Sequence, residues 1–262
     1  MRFPFLLPGL LVPLTLLAAE SEPRLLTETP VPVTLTIEPG DIADIAVFHV
    51  GSEAPEARVK TLAKSADYGA DLIWKAPYLQ VRSVSGGNCW DCSGEAIFKI
   101  ENGTVHRLGD LNDDVAAERV PALAPGHFVT GYSRLELQAG FCHACSPYFM
   151  VNLVDRNGAL EVDAEATWLL NSALWIRVAG LIPQAAPAKD DEAYSQWSLE
   201  TFRDLVSAAA LARFCGREQQ LTDLQALWTP FLDEDSRGQL AEALDLVKPL
   251  EPASAWNAVA PY

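Results

Sequence analysis

Two Cys-x-x-Cys-Ser strings, set at matching places in a repeated pattern, constrain this 262-residue chain more than any other feature. In the first copy Tyr78 is followed after ten residues by Cys89-Trp90-Asp91-Cys92-Ser93, then by a strand-like run to Asn102-Gly103. In the second, Tyr132 is followed after nine residues by Cys142-His143-Ala144-Cys145-Ser146, then by a run to Asn157-Gly158. Each run alternates with period two, which puts Ala96, Phe98 and Ile100 on one face, and likewise Phe149, Val151 and Leu153. Asn-Gly is the strongest short hairpin signal, because both residues tolerate the positive φ of a type I′ turn. Each copy therefore predicts a Cys-x-x-Cys turn entering a β-hairpin. Two copies are too few for a solenoid or a propeller.

Three chemistries suit Cys89, Cys92, Cys142 and Cys145. Disulfides come first in an exported chain. A bond within either pair requires a turn, since residues i and i+3 of an extended strand lie about 10 Å apart and bonded Cα atoms about 4.4–6.8 Å apart. Gly86-Gly87-Asn88 and Ser93-Gly94 supply turn residues for the first pair, Gly140 and Ser146-Pro147 for the second. Bonds between the copies are also possible, and four cysteines allow three connectivities. The second chemistry is a tetrathiolate zinc site. The two turns are similar to the knuckles of a zinc ribbon, a resemblance limited to those turns; it implies zinc held by all four sulfurs. The 49 intervening residues exceed the usual spacing of roughly 15–20. The third is thiol redox catalysis, which wants a helix N-terminus beside the attacking thiol; here each pair precedes a strand pattern, and His143 alone does not make an active site. Ser93 and Ser146 follow the pairs where c-type haem attachment needs histidine. Cys215 stands apart and reads as a buried apolar filler.

The compartment that favours disulfides is read from the first residues. Arg2 is followed by an uncharged, largely apolar stretch from Phe3 to Leu17 and by the small pair Ala18-Ala19, after which Glu20, Ser21 and Glu22 are polar. That order is a cleavable secretory signal, residues 1–19, with cleavage after Ala19 or after Ser21. The stretch is shorter than the roughly 20 residues a spanning helix takes, and Pro4, Pro8 and Pro13 would break one. The expectation is export to a periplasmic or extracellular compartment, with no membrane insertion once the signal is cleaved. Net charge is −16, and −17 once Arg2 leaves. A surface that acidic repels phosphate backbones and anionic lipid heads, which argues against nucleic acid as a partner and leaves a protein partner open.

From about Thr29 to Trp175 the chain reads as strands and turns, beginning with the alternation of Val31, Val33, Leu35 and Ile37 before Pro39-Gly40. A loop rich in Ala, Pro and Lys from Pro183 to Lys189 then reads as a linker. Three helices are predicted after it. The first has Ser198 as N-cap, a Trp197–Phe202 staple, an apolar stripe of Leu199, Phe202, Leu205, Val206 and Ala209, and Gly216 to close it. Thr222–Gln225 reads as a capping box opening the second, with Leu224, Leu227 and Trp228 inward; Ser236–Gln239 reads as one opening the third, with Leu240, Leu244 and Val247 inward.

Other signals do not hold. Asp233 to Leu240 resembles a calcium loop in four positions, but Arg237 occupies a ligand position and Leu244 stands in place of the bidentate glutamate, so an acidic helix start is the better account. The acidic run Asp110 to Asp114 lacks the turn glycine. Asn102-Gly-Thr104 fits a glycosylation sequon, although the hairpin explains those residues better. His49, His106, His127 and His143 lack metal spacing, and no serine sits in a nucleophile-elbow string.

The expected architecture is α+β: a β-rich body of antiparallel hairpins (residues 29–182) with a duplicated CxxC-hairpin unit, followed by a C-terminal three-helix subdomain (190–250). The expected function is that of an exported, non-enzymatic binding or interaction module stabilised by disulfides among Cys89, Cys92, Cys142 and Cys145, with no cofactor. The alternative is a zinc-binding or thiol-redox protein using the same four cysteines.

Overall fold

In a computed structural model of the full chain, residues 23–38, 44–52, 56–61, 69–84, 94–111, 125–132, 135, 146–181 and 192–249 are described. Their order is strands first and then helices, with three antiparallel sheets. The first sheet runs β1 (Arg24–Thr27), β2 (Val33–Glu38), β3 (Asp44–Val50) and β4 (Glu56–Thr61) in sequence order. The alternation predicted for β2 is observed: Val33 and Leu35 are buried.

The second sheet is a meander of β5 (Gly69–Lys75), β6 (Tyr78–Val84), β7 (Gly94–Glu101) and β8 (Thr104–Leu111). The third is a shorter meander of β9 (His127–Gly131), β10 (Met150–Arg156) and β11 (Ala159–Val162), with β10 in the middle. Both Asn-Gly turns form as the sequence predicts. Glu101 pairs with Thr104 and Arg156 with Ala159 across two-residue loops. Asn102 and Asn157 have φ of 54° and 57°, Gly103 and Gly158 of 79° and 87°, the positive pair a type I′ turn requires.

The second sheet is the middle layer. Ala96 and Phe98 of β7, with Leu79 and Val81 of β6, pack against Val33, Leu35, Ala46 and Phe48 of the first sheet. Ile97 of β7 faces the other way, into a core shared with β9 to β11 and the helices. A strand buried on both faces is a continuous apolar run rather than an alternating one. The face of Ala96, Phe98 and Ile100 is therefore as predicted, but Ile97 between them is equally buried.

Residues 164–181 correct the reading of strands and turns up to Trp175: they are two helices, α1 (Ala164–Leu170) and α2 (Ser172–Leu181). Asp163 caps α1 by accepting from Ala166 N–H at 2.8 Å, and Ala164, Glu165 and Ala166 are sound helix formers. The bulky Trp168, Leu169, Trp175 and Ile176 resemble strand residues only while their distant contacts are ignored. α3 (Glu192–Phe214) begins before the Ser198 cap that the sequence suggests. Between Leu205 and Ala212 it is buried all round rather than along a stripe. It ends as predicted at Gly216 (φ 67°), where Arg217 N–H donates to the Ala212 carbonyl and Gly216 N–H to the Arg213 carbonyl. Those two bonds are a Schellman closure.

α4 (Glu218–Trp228) starts at once, so Thr222 lies inside it and its hydroxyl donates back to the Glu218 carbonyl at 2.9 Å instead of capping. Leu224 and Trp228 are buried as expected, whereas Leu227 is exposed. In α5 (Glu234–Leu246) the cap is Asp233, which accepts from Ser236 N–H at 2.9 Å; Ser236 is in the first turn. An ionised aspartate is a strong cap and also suits the positive end of the helix dipole. Leu240, Leu244 and Val247 are buried. None of the helices among the described residues is long and apolar enough to cross a membrane.

Candidate functional site

Two polar constellations organise the third sheet. The first joins the two meanders. Asp155, on β10 just before its turn, has a side chain only 3% exposed. Its Oδ2 accepts from the Tyr78 hydroxyl of β6 at 3.0 Å and lies 3.0 Å from Lys99 Nζ of β7. Its Oδ1 accepts from Gly158 N–H at 2.9 Å. Lys99 also reaches Glu101 at 3.1 Å and stands 6.0 Å from the centre of the Tyr78 ring, which makes a T-shaped pair with Phe128. The approach needs glycine at 126: a Cβ there would come 3.0 Å from the Tyr78 oxygen.

The electrostatics follow from that geometry. Burial alone would raise the Asp155 carboxyl, but hydrogen bonds from Lys99, Gly158 N–H and Tyr78, with the charge on Lys99, hold it below its ordinary value. Burial, followed by the bond to Asp155 and its negative charge, raises the Tyr78 phenol. The hydrogen bonds to Asp155 and Glu101 raise the Lys99 ammonium. An ammonium so stabilised stays protonated at neutral pH and offers no lone pair for nucleophilic or base chemistry. What this arrangement does is clasp one meander to the other.

The second constellation docks the helices on β10. β11 is short, so the first half of β10 has no strand partner on that side. α1 supplies one with side chains. Asn152 N–H donates to Thr167 Oγ1 at 2.9 Å, and Met150 N–H to Asn171 Oδ1 at 3.0 Å. Asn171 Nδ2 donates to the carbonyls of Met150 and Thr167, both at 2.7 Å. Positions 167 and 171 are one helical turn apart, so both side chains lie on the same face. Next along the chain, Tyr148 N–H donates to Ser207 Oγ of α3 at 2.8 Å. His127 Nδ1 lies 3.2 Å from Asn152 Oδ1.

Beside these, α1 and α2 carry apolar side chains into solvent. Leu169 is 61% and Ile176 69% exposed, next to the half-buried pair of Trp168 and Trp175, whose rings are 4.9 Å apart. Arg217 stands over Trp168 and pairs with Glu165.

Cys89, Cys92, Cys142 and Cys145 lie outside the described residues. The strands on either side of them are described. Ser83 pairs with Gly94 where β6 passes to β7, and Tyr132 N–H donates to the Phe149 carbonyl where β9 passes to β10. In sequence the first cysteine pair therefore falls between β6 and β7, and the second between β9 and β10. Tyr78 and Tyr132, which mark the copies in sequence, are not equivalent: Tyr78 opens β6, while Tyr132 follows β9. Cys215 is a free thiol of intermediate exposure, packed against the helical core. Burial, tempered by Arg217, pushes it up to about 12, which leaves it inert as a nucleophile at neutral pH. Asp163, Asp233 and Glu234 sit at helix starts, as the acidic-start reading of the calcium-like string expects for the last two. Among the described residues no group of three or more His, Cys, Asp or Glu side chains is placed to hold a metal ion.

Sequence reasoning missed Lys99, Asp155, Thr167 and Asn171. The one available signal was Asp155 standing two residues before an Asn-Gly turn, where its carboxylate can reach the turn amide. No family model matches this chain, and no curated protein or solved structure matches it either.

Proposed function

We propose that the chain is an exported, non-enzymatic binding or interaction module whose β body is stapled by disulfides among Cys89, Cys92, Cys142 and Cys145. The observation that carries the interaction role is the apolar face of α1 and α2, where Leu169 and Ile176 stand in solvent beside the Trp168–Trp175 pair. Large aliphatic groups left in solvent beside aromatic rings are the kind of residue an interface core uses. The staple has support from topology. The clasp of Tyr78, Lys99 and Asp155 joins the meanders near their Asn-Gly turns, and the two connections bearing cysteines leave from the opposite ends. A covalent tie there would secure what the clasp does not, whether formed within each pair or between the copies. In this reading residues 78–104 and 132–160 are copies of one cysteine-bearing hairpin unit, α3, α4 and α5 form a helical subdomain, and the four thiols need neither zinc nor a redox partner.

The test is a photo-crosslinking residue at position 176 of the exported protein in its own cells. A discrete adduct, lost when Leu169→Glu is added, is expected. Only uncrosslinked monomer, with and without Leu169→Glu, would remove the interaction reading.

A further inference from the structure

The two Asn-Gly turns share a backbone and differ in what holds them. In the second, Gly158 N–H donates to Asp155 Oδ1 at 2.9 Å, and Asp155 is itself fixed by Lys99 and Tyr78. In the first, the residue two before the asparagine is Ile100, which packs with Ala96 and Phe98 in the core towards the first sheet. No carboxylate at that position reaches Gly103 N–H. Both turns are otherwise equally open: Asn102, Gly103, Asn157 and Gly158 are exposed, and nothing lies within 4 Å of where a Cβ on either glycine would be, so the bond to Asp155 is what separates them.

Asparagine followed by glycine is open to intramolecular attack, because glycine has no side chain to block it. The backbone nitrogen of the glycine loses its proton and attacks the side-chain amide carbon. A C–N bond forms, the bond to the amide nitrogen breaks, and that nitrogen leaves as ammonia, giving a five-membered succinimide. Water then opens either carbonyl, yielding aspartate or isoaspartate. The turn must leave its type I′ geometry for this to happen, and the attacking nitrogen must become partly anionic. At Gly158 both steps are opposed: leaving the turn breaks the bond to Asp155, and a carboxylate beside a developing anion disfavours it. At Gly103 neither obstacle exists.

We propose that Asn102 is a site of spontaneous modification in the folded protein, converting through a succinimide to aspartate and isoaspartate, while the anchored turn of Asp155 and Gly158 protects Asn157. The product would place a new carboxylate beside Glu101, the second partner of Lys99. Isoaspartate would also lengthen the backbone inside a two-residue loop that sets the register of β7 on β8.

The experiment holds the purified full-length protein in warm, mildly alkaline buffer and follows both Asn-Gly peptides by mass spectrometry after digestion. A hydrogen bond to a charged group is strong enough to slow opening about tenfold. Asn102 should therefore convert about tenfold faster than Asn157 in the folded protein, and the two should convert alike in denaturant. Equal rates when folded would overturn the proposal. So would faster conversion at Asn157, which would mean that Asp155 acts as a base. Conversion of neither in the folded protein, with both reacting when unfolded, would overturn it too. Asp155→Ala should bring Asn157 up to the rate of Asn102; a folded variant that still protects Asn157 would remove Asp155 from the account.

Discussion

Asp155 gathers donors from two strands, β6 and β7, and from its own turn, so a single carboxylate ties sequence positions 77 apart. Its stability contribution depends on pH in a direction that can be worked out. The folded carboxyl titrates below the 3.8 of an ordinary aspartate. The contribution is therefore fully present above that value and is lost as pH falls from there through the lower folded value. Asp155→Asn keeps an acceptor but removes the charge, and should cost on the order of 1–3 kcal/mol at neutral pH. It should also flatten the acid side of the stability profile. Urea midpoints taken down through the carboxylate range would check this; equal acid slopes for the two proteins would show that the clasp is not held by charge. Tyr78 works in the opposite window. Its raised phenol favours the neutral form when folded, so its contribution holds below 10.0 and is lost as pH rises through the folded value.

Among elements, the join between α1 and β10 decides how the helices meet the sheets. A strand edge facing a helix normally leaves backbone groups without partners, and burying them so costs free energy. Thr167 and Asn171 remove that cost by standing in for a strand. Asn171→Ala takes partners from both the N–H and the carbonyl of Met150. It should destabilise by on the order of 2–4 kcal/mol. The Met150 amide should then exchange hydrogen faster than those of β7, which a residue-resolved exchange experiment reads. A loss of stability with unchanged exchange at Met150 would place the effect inside α1 instead. The same join explains why the strand-like reading of residues 164–175 fails. Trp168, Leu169 and Ile176 have the bulk of strand residues, but Asp163 starts a helix and positions 167 and 171 face β10 only at helical spacing.

At the scale of the whole molecule, the three sheets and the helices of the described residues share two cores, with β7 of the second sheet buried on both faces between them. If the cysteines join the two meanders, the 49 residues between Cys92 and Cys142 are tied in the unfolded chain as well. The chain-entropy account then gives on the order of 4 kcal/mol for one such bond, and far less for a bond within a pair. Cys92→Ser should lower the urea midpoint, and adding Cys145→Ser should cost less than the sum. Reductant should lower the wild type and leave unmoved a variant in which Cys89, Cys92, Cys142 and Cys145 are all serine. Unchanged midpoints alongside lost thiol exchange would favour redox chemistry; a midpoint lowered by chelator rather than reductant would favour zinc. What could be read from the sequence was local. The Asn-Gly turns, the alternation of Val33 and Leu35, the Gly216 closure and the acidic start at Asp233 follow from torsions and hydrogen bonds within a few residues. Local patterns misled at Thr222 and Ser236, because α4 starts at Glu218 directly after the Gly216 closure and Asp233 caps α5 three residues before Ser236. Tertiary structure alone decided that Ile97 is buried as deeply as Phe98, that α3 is enclosed on every side between Leu205 and Ala212, and that the carboxylate of Asp155 meets both Tyr78 and Lys99. Burial and charge pairing depend on which surfaces come together from distant parts of the chain, and no short-range period encodes that meeting.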